Sequence, residues 1–285
     1  MRPVPLSERQ LAAFADKHAW QIPYDTGPRH LAGPGDARHV THGLAAAGWT
    51  HTSDPLSAEI VLRGPDQRHR LQFDPQSATS AWWRLRAEPT DTEPGWYAEF
   101  GAFVPAEVLA GLTDALVAPP PTEPASPLPV LEAAGWLIDG RGAADSDPPG
   151  CRVERRPAQG RGTVPWSEPG PVAWHIGVRD SPDAFVPGPL LWHAFLDDAT
   201  PEHLVTAFVS ALADTTPLQR GMFDRTANHG VVQELSPLTP QQTVDAYLTR
   251  VKAVRSQARA ARRQQTKSPM PPARAAGAAP PVPRR

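Results

Sequence analysis

The chain has 285 residues and a formal net charge of −2; 40% of the residues are hydrophobic, 36 are proline and 21 are glycine. The length favours about two domains, and the proline and glycine content favours short elements joined by many turns. The single cysteine, Cys151, excludes an intrachain disulfide. No apolar run reaches the length of a membrane span and no signal-peptide core is present, so we expect a cytoplasmic protein without a membrane partner.

A short helix is predicted near the N-terminus, at about residues 8–18. Ser7 and Gln10 have the spacing of a capping box, which satisfies two backbone N–H groups at a helix start. The stretch that follows, "QIPYDTGPRHLAGPGD", is predicted to be a loop because glycine and proline recur in it. Residues 1–35 are therefore assigned to an N-terminal helix and loop.

The sequence Leu-x-Ala-Ala-Gly-Trp occurs twice, beginning at Leu44 and at Leu131. We interpret this as an internal duplication, with a first repeat at 36–118 and a second at 128–215, separated by a Pro-rich linker at 119–127. Later segments support the alignment, because "WYAEFGAFVPAEVLAGLTDALV" and "WHAFLDDATPEHLVTAFVSALA" match without a gap.

Each repeat is predicted to begin with a short helix that ends at Gly48 or Gly135, because glycine accepts the left-handed conformation of a helix C-terminus. Strands follow, since apolar and polar residues alternate in "HRLQFDP", "WWRLRA" and "VAWHIGVRD". A second helix starts at Pro105 or Pro201, with Thr200 as the N-cap in the second repeat. The predicted fold class is α+β: two tandem repeats, each with a short helix, an antiparallel β-meander and a C-terminal helix packed on the sheet.

Residues 216–266 are predicted to form a connector and a basic C-terminal helix, and residues 267–285 a disordered tail rich in proline, alanine and arginine. Thr239 and Gln242 have capping-box spacing, and apolar residues beyond them recur at intervals of three and four. From Ala246 onwards there are ten Lys and Arg residues and no Asp or Glu, so the remainder of the chain is strongly acidic.

Four long strings resemble an actinobacterial family, common in Streptomyces-like genomes, that is known as domain of unknown function 317. They are "HLAGPGDARHVTHGLAAAGW", "HRLQFDP", "SAWWRLRAEPTDTEPGWYAEF" and "VPAEVLAGLTDAL". The resemblance is strong from Leu31 to Leu116 and looser from Leu131 to Leu212, which implies two tandem copies of the domain. The family has no established activity, cofactor or catalytic residue, so the resemblance implies no site residue.

The sequence patterns of common catalytic and metal sites are weak or missing. We interpret one group of histidines as capping or surface residues rather than zinc ligands, because no cysteine and few carboxylates accompany them: His39, His42 and His51. A second group belongs to the second repeat alone and is interpreted as solvent-facing: His175, His193 and His203. The chain has no G-x-S-x-G motif and no P-loop. We predict no catalytic residue, no cofactor and no metal, and an enzyme of unidentified class stays as a third hypothesis.

Two groups of side chains are candidates for binding a partner. Trp82, Arg84 and Arg86 fall on the strand face opposite to the apolar residues, where we expect either a contact with the sibling repeat or an external binding surface. The second group lies on the C-terminal helix and has the charge to neutralise phosphates: Arg250, Lys252, Arg255, Arg259, Arg262 and Arg263.

The leading hypothesis is a non-enzymatic interaction module whose duplicated α+β domains bind a protein partner. The alternative is a nucleic-acid-associated accessory protein that uses the basic C-terminal helix. The acidic remainder of the chain and the lack of a known DNA-binding motif weigh against the alternative.

Overall fold

The computed structural model describes residues 6–54, 56–123, 125–156, 172–180, 188–228 and 230–267. The helices in these ranges are α1 (Glu8–His18), α2 (Arg38–Ala46), α3 (Ala106–Val117), α4 (Pro127–Ala133), α5 (Glu202–Ala213) and α6 (Pro240–Lys267). The strands are β1 (Pro23–Gly27), β2 (Thr50–His51), β3 (Ile60–Arg63), β4 (His69–Phe73), β5 (Ala81–Ala87), β6 (Trp96–Gly101), β7 (Leu137–Ile138), β8 (Ala143–Asp145), β9 (Cys151–Arg155), β10 (Val172–Arg179), β11 (Leu190–Asp197), β12 (Leu218–Gly221) and β13 (Val232–Leu235).

Ten strands form one antiparallel sheet, here called the large sheet, in the order β2-β3-β4-β5-β6-β11-β10-β9-β8-β7. The first repeat consists of α2, the meander β2 to β6, and α3. The second consists of α4, the meander β7 to β11, and α5. The prediction of an α+β fold with two tandem helix–meander–helix repeats is confirmed.

The two repeats share the large sheet because β6 pairs with β11 at its centre. The paired residues are Ala98 with Leu196, Glu99 with Phe195, and Phe100 with Ala194. In the gap-free alignment of the two repeats, Glu99 and Phe195 occupy the same position. The register therefore has the symmetry of a two-fold axis that passes through the Glu99–Phe195 pair.

The helices α3 and α5 also pack against each other across this joint. A Cβ atom added to Gly111 would lie 2.7 Å from the Cβ of Ala211, so the two helices touch at this glycine. Within the described residues, the repeats thus meet through strand edges and through their second helices.

The hydrophobic core lies between the helices and one face of the large sheet. Three pairs of tryptophans at equivalent positions in the repeats are buried there: Trp49 and Trp136, Trp83 and Trp174, and Trp96 and Trp192. Burial of such large rings removes much apolar surface from water, which stabilises both repeats. The prediction that these six residues pack inside is confirmed, and Cys151 is buried in the same core.

The starts and ends of the repeat helices test the capping predictions. Gly48 and Gly135 have φ angles of 90° and 87°, so the predicted left-handed helix ends are confirmed. The predicted N-cap at Thr200 is wrong. Pro201 is itself the N-cap of α5 and no side chain caps the helix; Thr200 instead donates its hydroxyl to Oδ1 of Asp197 at 2.8 Å.

The helices outside the repeats, α1 and α6, pack over the first repeat. α1 has the predicted capping box between Ser7 and Gln10. The prediction of a loop after α1 is wrong, because β1 lies there and pairs with β12 and β13 of the connector in a second, three-stranded sheet, here called the small sheet. No strand-like alternation marks β1, whose partners lie almost two hundred residues away in sequence.

α6 packs on α1, α2 and α3 along the predicted apolar seam. The buried seam residues are Val244, Tyr247, Val251, Val254 and Ala258. α6 ends at Lys267, and the tail predicted to be disordered otherwise lies outside the described residues. Among the helices that the structure describes, none combines the length and the apolar character needed to cross a bilayer.

Candidate interaction surface

The face of the large sheet opposite to the helices is here called the open face. Along β5, residues Ala81, Trp83, Leu85 and Ala87 are buried against the core, and the alternate residues point to the other side. Trp82 and Arg84 are half-buried there, and Arg86 is exposed. The structure therefore brings the three residues of the predicted interaction surface together on the open face.

Each of these three side chains has a partner close by among the described residues. The Trp82 ring meets Phe73 edge-on, with ring centroids 6.3 Å apart. Arg84 donates to the hydroxyl oxygen of Thr79 at 2.7 Å, and Nε of Arg86 lies 3.5 Å from a carboxylate oxygen of Glu88. An exposed pair such as Arg86 with Glu88 stabilises a fold by well under about 1 kcal/mol, so it leaves Arg86 available to a partner.

Strand pairing adds two arginines that the sequence analysis missed. Arg63 of β3 pairs with Arg70 of β4, and Arg70 pairs with Arg86 of β5. We call Arg63, Arg70 and Arg86 the arginine row. Within the part of the chain that the structure describes, Arg63 and Arg70 form no ion pair, and Nε of Arg70 is buried without a hydrogen-bond partner. Facing like charges destabilise a sheet by about 0.2–1 kcal/mol per pair.

The second repeat provides an internal comparison. The residues paired at the equivalent positions of β8, β9 and β10 are Asp145, Arg152 and Gly177. Arg152 there forms ion pairs with Asp145 and Asp139. The same scaffold thus supports a charge-balanced row in one repeat and three adjacent cations in the other, so the fold itself does not require the arginines.

The centre of the open face carries two of the predicted histidines. Nε2 of His193 lies 3.8 Å from Glu99, which also accepts a hydrogen bond from the Tyr97 hydroxyl at 2.9 Å. The neighbouring His193 imidazole lowers the pKa of Glu99 despite the opposing effect of burial. The prediction of a solvent-facing residue is wrong for His193, which is only 9% exposed.

His175 lies across Phe195 from His193. Its Nδ1 is 3.3 Å from Glu154, and burial lowers the pKa of its imidazole. The Phe195 ring centroid is 4.7 Å from both imidazole centroids and separates the two histidines. Each histidine therefore pairs with its own carboxylate. The two pairs lie on either side of Phe195 and do not converge on one point where a substrate could exchange a proton.

Two histidines of the first group, His39 and His42, pack against α6, contrary to the prediction of surface residues. Nδ1 of His42 lies 2.6 Å from the hydroxyl of Tyr247 in α6, and the ring of His39 meets Tyr247 edge-on. Burial lowers the pKa of both imidazoles to about 4. His51 is exposed and lies apart from them. No set of three or more His, Cys, Asp or Glu residues in the described ranges is placed to hold a metal ion.

The candidate nucleic-acid residues of α6 divide into two groups. Arg250 turns inward, where it forms a bidentate pair with Asp114 at 2.7 and 2.9 Å and donates to the carbonyl of His39. This placement argues against a phosphate contact from Arg250. Arg262 donates to the carbonyl oxygen of Ala47. The remaining candidates are exposed or half-buried along the outer side of α6: Lys252, Arg255, Arg259 and Arg263.

Comparison with known proteins bears on the repeats alone. The model of a family described as SPDY, domain of unknown function (DUF317), matches residues 63–122 and 149–218. The two matched segments are consistent with two tandem copies of this domain. No curated protein and no solved structure shows significant similarity to the chain. The first SPDY match contains the whole arginine row and Trp82, whereas α1, the small-sheet strands β1 and β13, and α6 lie outside both matches.

Proposed function

We propose that the chain is a non-enzymatic interaction module that binds an acidic segment of a protein partner on the open face of its first repeat. The arginine row is the observation that carries this proposal. Three adjacent cations across β3, β4 and β5 repel one another, and the equivalent row of the second repeat shows that the scaffold tolerates a balanced alternative. A cost of this kind is offset when carboxylates of a partner bind between the guanidinium groups.

The surroundings of the row favour a protein partner over nucleic acid. Trp82 and Arg84 adjoin the row, and tryptophan and arginine are enriched among residues that dominate protein interfaces. The row spans three strands only, and the chain outside the C-terminal helix and tail is acidic. A long polyanion would therefore meet repulsion beyond the row, whereas a short acidic segment would contact the row alone. We also propose a cytoplasmic location, because the one cysteine, Cys151, is buried as a free thiol.

The proposal is tested with a short fluorescein-labelled oligoglutamate peptide, whose binding to the full chain is followed by fluorescence anisotropy. We expect saturable binding that weakens as salt is added. The substitution Arg70→Glu should reduce affinity by about tenfold or more, because it removes one cation and adds a repulsive charge in the middle of the row.

The matched control is Arg9→Glu, which makes the same charge change on the exposed side of α1. It should leave the affinity within about twofold of the parent, since the change lies outside the row. A labelled DNA oligonucleotide of similar length and charge forms the second arm. Equal loss of peptide binding in both variants, or tighter binding of DNA than of the peptide at the row, contradicts the proposal.

The outward basic side of α6 supports nucleic-acid association as a second candidate function. α6 is held against α1, α2 and α3 by its buried seam, so Lys252 and Arg259 are displayed on a fixed helix. Removal of α6 would expose the core, and charge reversal is therefore the cleaner test. If Lys252→Glu/Arg259→Glu abolishes retention of the DNA oligonucleotide at low salt, the second candidate gains support. If the double variant retains the DNA oligonucleotide as the parent does, nucleic-acid association through α6 is refuted.

A further inference from the structure

A cavity of about 280 Å³ lies beside the first repeat, away from the arginine row. Its walls come from α1, the small sheet, the starts of α2 and α3, and the first turns of α6. Most of these segments lie outside the two SPDY matches. The second repeat has no corresponding helix or small sheet among the described residues, so the cavity belongs to the segments that flank the duplication.

Apolar and aromatic side chains form much of the cavity wall. Phe14 and Tyr247 stack with ring centroids 3.5 Å apart, and His39 meets both rings edge-on. Aliphatic groups of Leu218 and Leu238 extend the wall. Residues adjacent in sequence to the lining residues are exposed and apolar as well, since Trp20 is 90% exposed and Phe223 is 96% exposed. A cavity with this wall favours a ligand with an apolar, ring-containing body.

The charged groups at the wall neutralise one another. Arg220 is buried, and its five N–H donors bond the carbonyls of Ala32, Gly33 and Gln219 and both carboxylate oxygens of Glu107. Burial opposes the ionisation of Glu107, yet the charge and hydrogen bonds of Arg220, with smaller contributions from its other neighbours, lower the pKa of Glu107. No charge on this pair is left over for a ligand.

Asp36 is satisfied in the same way. It accepts hydrogen bonds from Lys17 at 2.9 Å, His18 at 3.2 Å and the Arg38 guanidinium at 2.7 Å. Burial opposes its ionisation, yet these hydrogen bonds hold the pKa of Asp36 far below its ordinary range. The half-buried His39 imidazole is neutral at neutral pH, because loss of solvent contact lowers its pKa to about 4. A neutral ligand is therefore the best electrostatic match.

Two hydrogen-bond acceptors at the wall are unsatisfied. The side-chain oxygens Oε1 of Gln21 and of Gln219, two residues of the wall, are buried and have no hydrogen-bond partner among the described residues. The orientation of Gln219 is set by its Nε2, which donates to Asp25 at 2.6 Å, so the unpartnered atom is an oxygen and not an amide nitrogen. Buried acceptors without partners are uncommon and costly in folded proteins. A side-chain rotation that turns each oxygen toward the cavity would let it accept an N–H or O–H donor of a ligand.

We propose that this cavity binds a small neutral molecule with an aromatic or similarly flat apolar body and at least two N–H or O–H donors. The apolar body packs against Phe14 and Tyr247, and the donors bond Oε1 of Gln21 and Oε1 of Gln219. The cavity contains no residue of the arginine row, so the proposal of a small-molecule site can be tested separately from the proposal of acidic-segment binding.

The test uses 2,7-dihydroxynaphthalene as probe and naphthalene as the donor-free comparison, each titrated into the full chain and followed by isothermal titration calorimetry. We expect dihydroxynaphthalene to bind about tenfold more tightly than naphthalene, because only the former satisfies the two oxygens. The substitution Gln219→Met removes one acceptor and should shrink this preference to about threefold or less. Gln21→Met removes the other acceptor and serves as the second variant if Gln219→Met does not fold.

Two further variants locate the site. Gln233→Met is the matched control, because Gln233 also belongs to the small sheet but bonds Thr26 and lies outside the cavity wall; it should keep the full preference. Ala246→Trp places a large ring at the wall from α6 and should abolish binding of both compounds. Absence of binding to the parent chain, equal affinity for the two compounds, or binding that survives Ala246→Trp overturns the proposal.

Discussion

Glu99 and Phe195 face each other at the centre of the large sheet, and each occupies the position of the other in its own repeat. The pair marks the line along which two small units become one sheet. A unit of about 80 residues buries a limited share of its surface and is marginally stable alone. The shared strand edges and the packing of α3 on α5 increase the surface that each repeat buries, because they extend one core across both repeats.

The contact between α3 and α5 is predicted to be intolerant of bulk at Gly111. Gly111→Val should lower the free energy of unfolding by about 1–3 kcal/mol, because its Cβ would lie 2.7 Å from the Cβ of Ala211. Urea unfolding measures the change. Gly140→Ala is the control: a Cβ there meets nothing within 4 Å, and the free energy should stay within about 0.5 kcal/mol of the parent.

The buried pair of Arg220 and Glu107 is predicted to behave as a unit. Arg220→Met should lower the free energy of unfolding by about 3–5 kcal/mol, because it leaves the Glu107 carboxylate without its partner. The double substitution Arg220→Met/Glu107→Met removes both charges and should recover most of that loss. Equal losses in the single and double variants, measured by urea unfolding, would show that the pair is not the cause.

Stability is predicted to fall as the pH drops from about 6.5 to about 4. Burial lowers the pKa of His30, His39 and His42 from the ordinary 6.5 to about 4. In this window the unfolded chain takes up protons that the folded chain does not bind, so acid favours unfolding. His42→Gln should make the fall shallower by up to about 1.4 kcal/mol per pH unit, measured by urea unfolding across the window. A slope identical to that of the parent would refute the assignment for His42.

The arginine row is predicted to cost stability in the absence of a partner. Arg70→Glu converts two repulsive cross-strand pairs into attractive ones, with Arg63 and with Arg86. We expect the free energy of unfolding to rise by about 0.4–2 kcal/mol, which thermal or urea unfolding can resolve. A destabilised variant would mean that Arg70 serves the fold, and the argument from like charges would fail.

Local signals in the sequence predict much of each repeat and of the C-terminal helix. The alternation in β5, the glycines at Gly48 and Gly135 and the seam of α6 depend on neighbours a few residues apart, and all match the structure. The small sheet depends on long-range pairing: Tyr24 meets Arg220 and Leu235, and no short-range pattern marks these strands. A capping residue is also ambiguous from sequence, since Thr200 lies one residue before the N-cap Pro201 and its hydroxyl donates to Asp197.

Only part of the candidate interaction surface could be predicted from the sequence, for the same reason. Trp82, Arg84 and Arg86 lie in one strand, so period-two alternation places them on one face. Arg63 and Arg70 join them only through the register of β3, β4 and β5, which the sequence does not specify. The cavity could not be predicted from the sequence at all, because its wall combines residues of four distant segments: Gln21, Glu107, Gln219 and Tyr247.

The most direct test of acidic-segment binding copies the row of the second repeat into the first repeat. Arg63→Asp/Arg86→Gly gives the first repeat the row that the second already carries, Asp145–Arg152–Gly177. Anisotropy titration with the oligoglutamate peptide should then show affinity reduced by about tenfold or more in a chain that remains folded. If the Arg63→Asp/Arg86→Gly variant binds the peptide as tightly as the parent chain, the arginine row is not the binding surface.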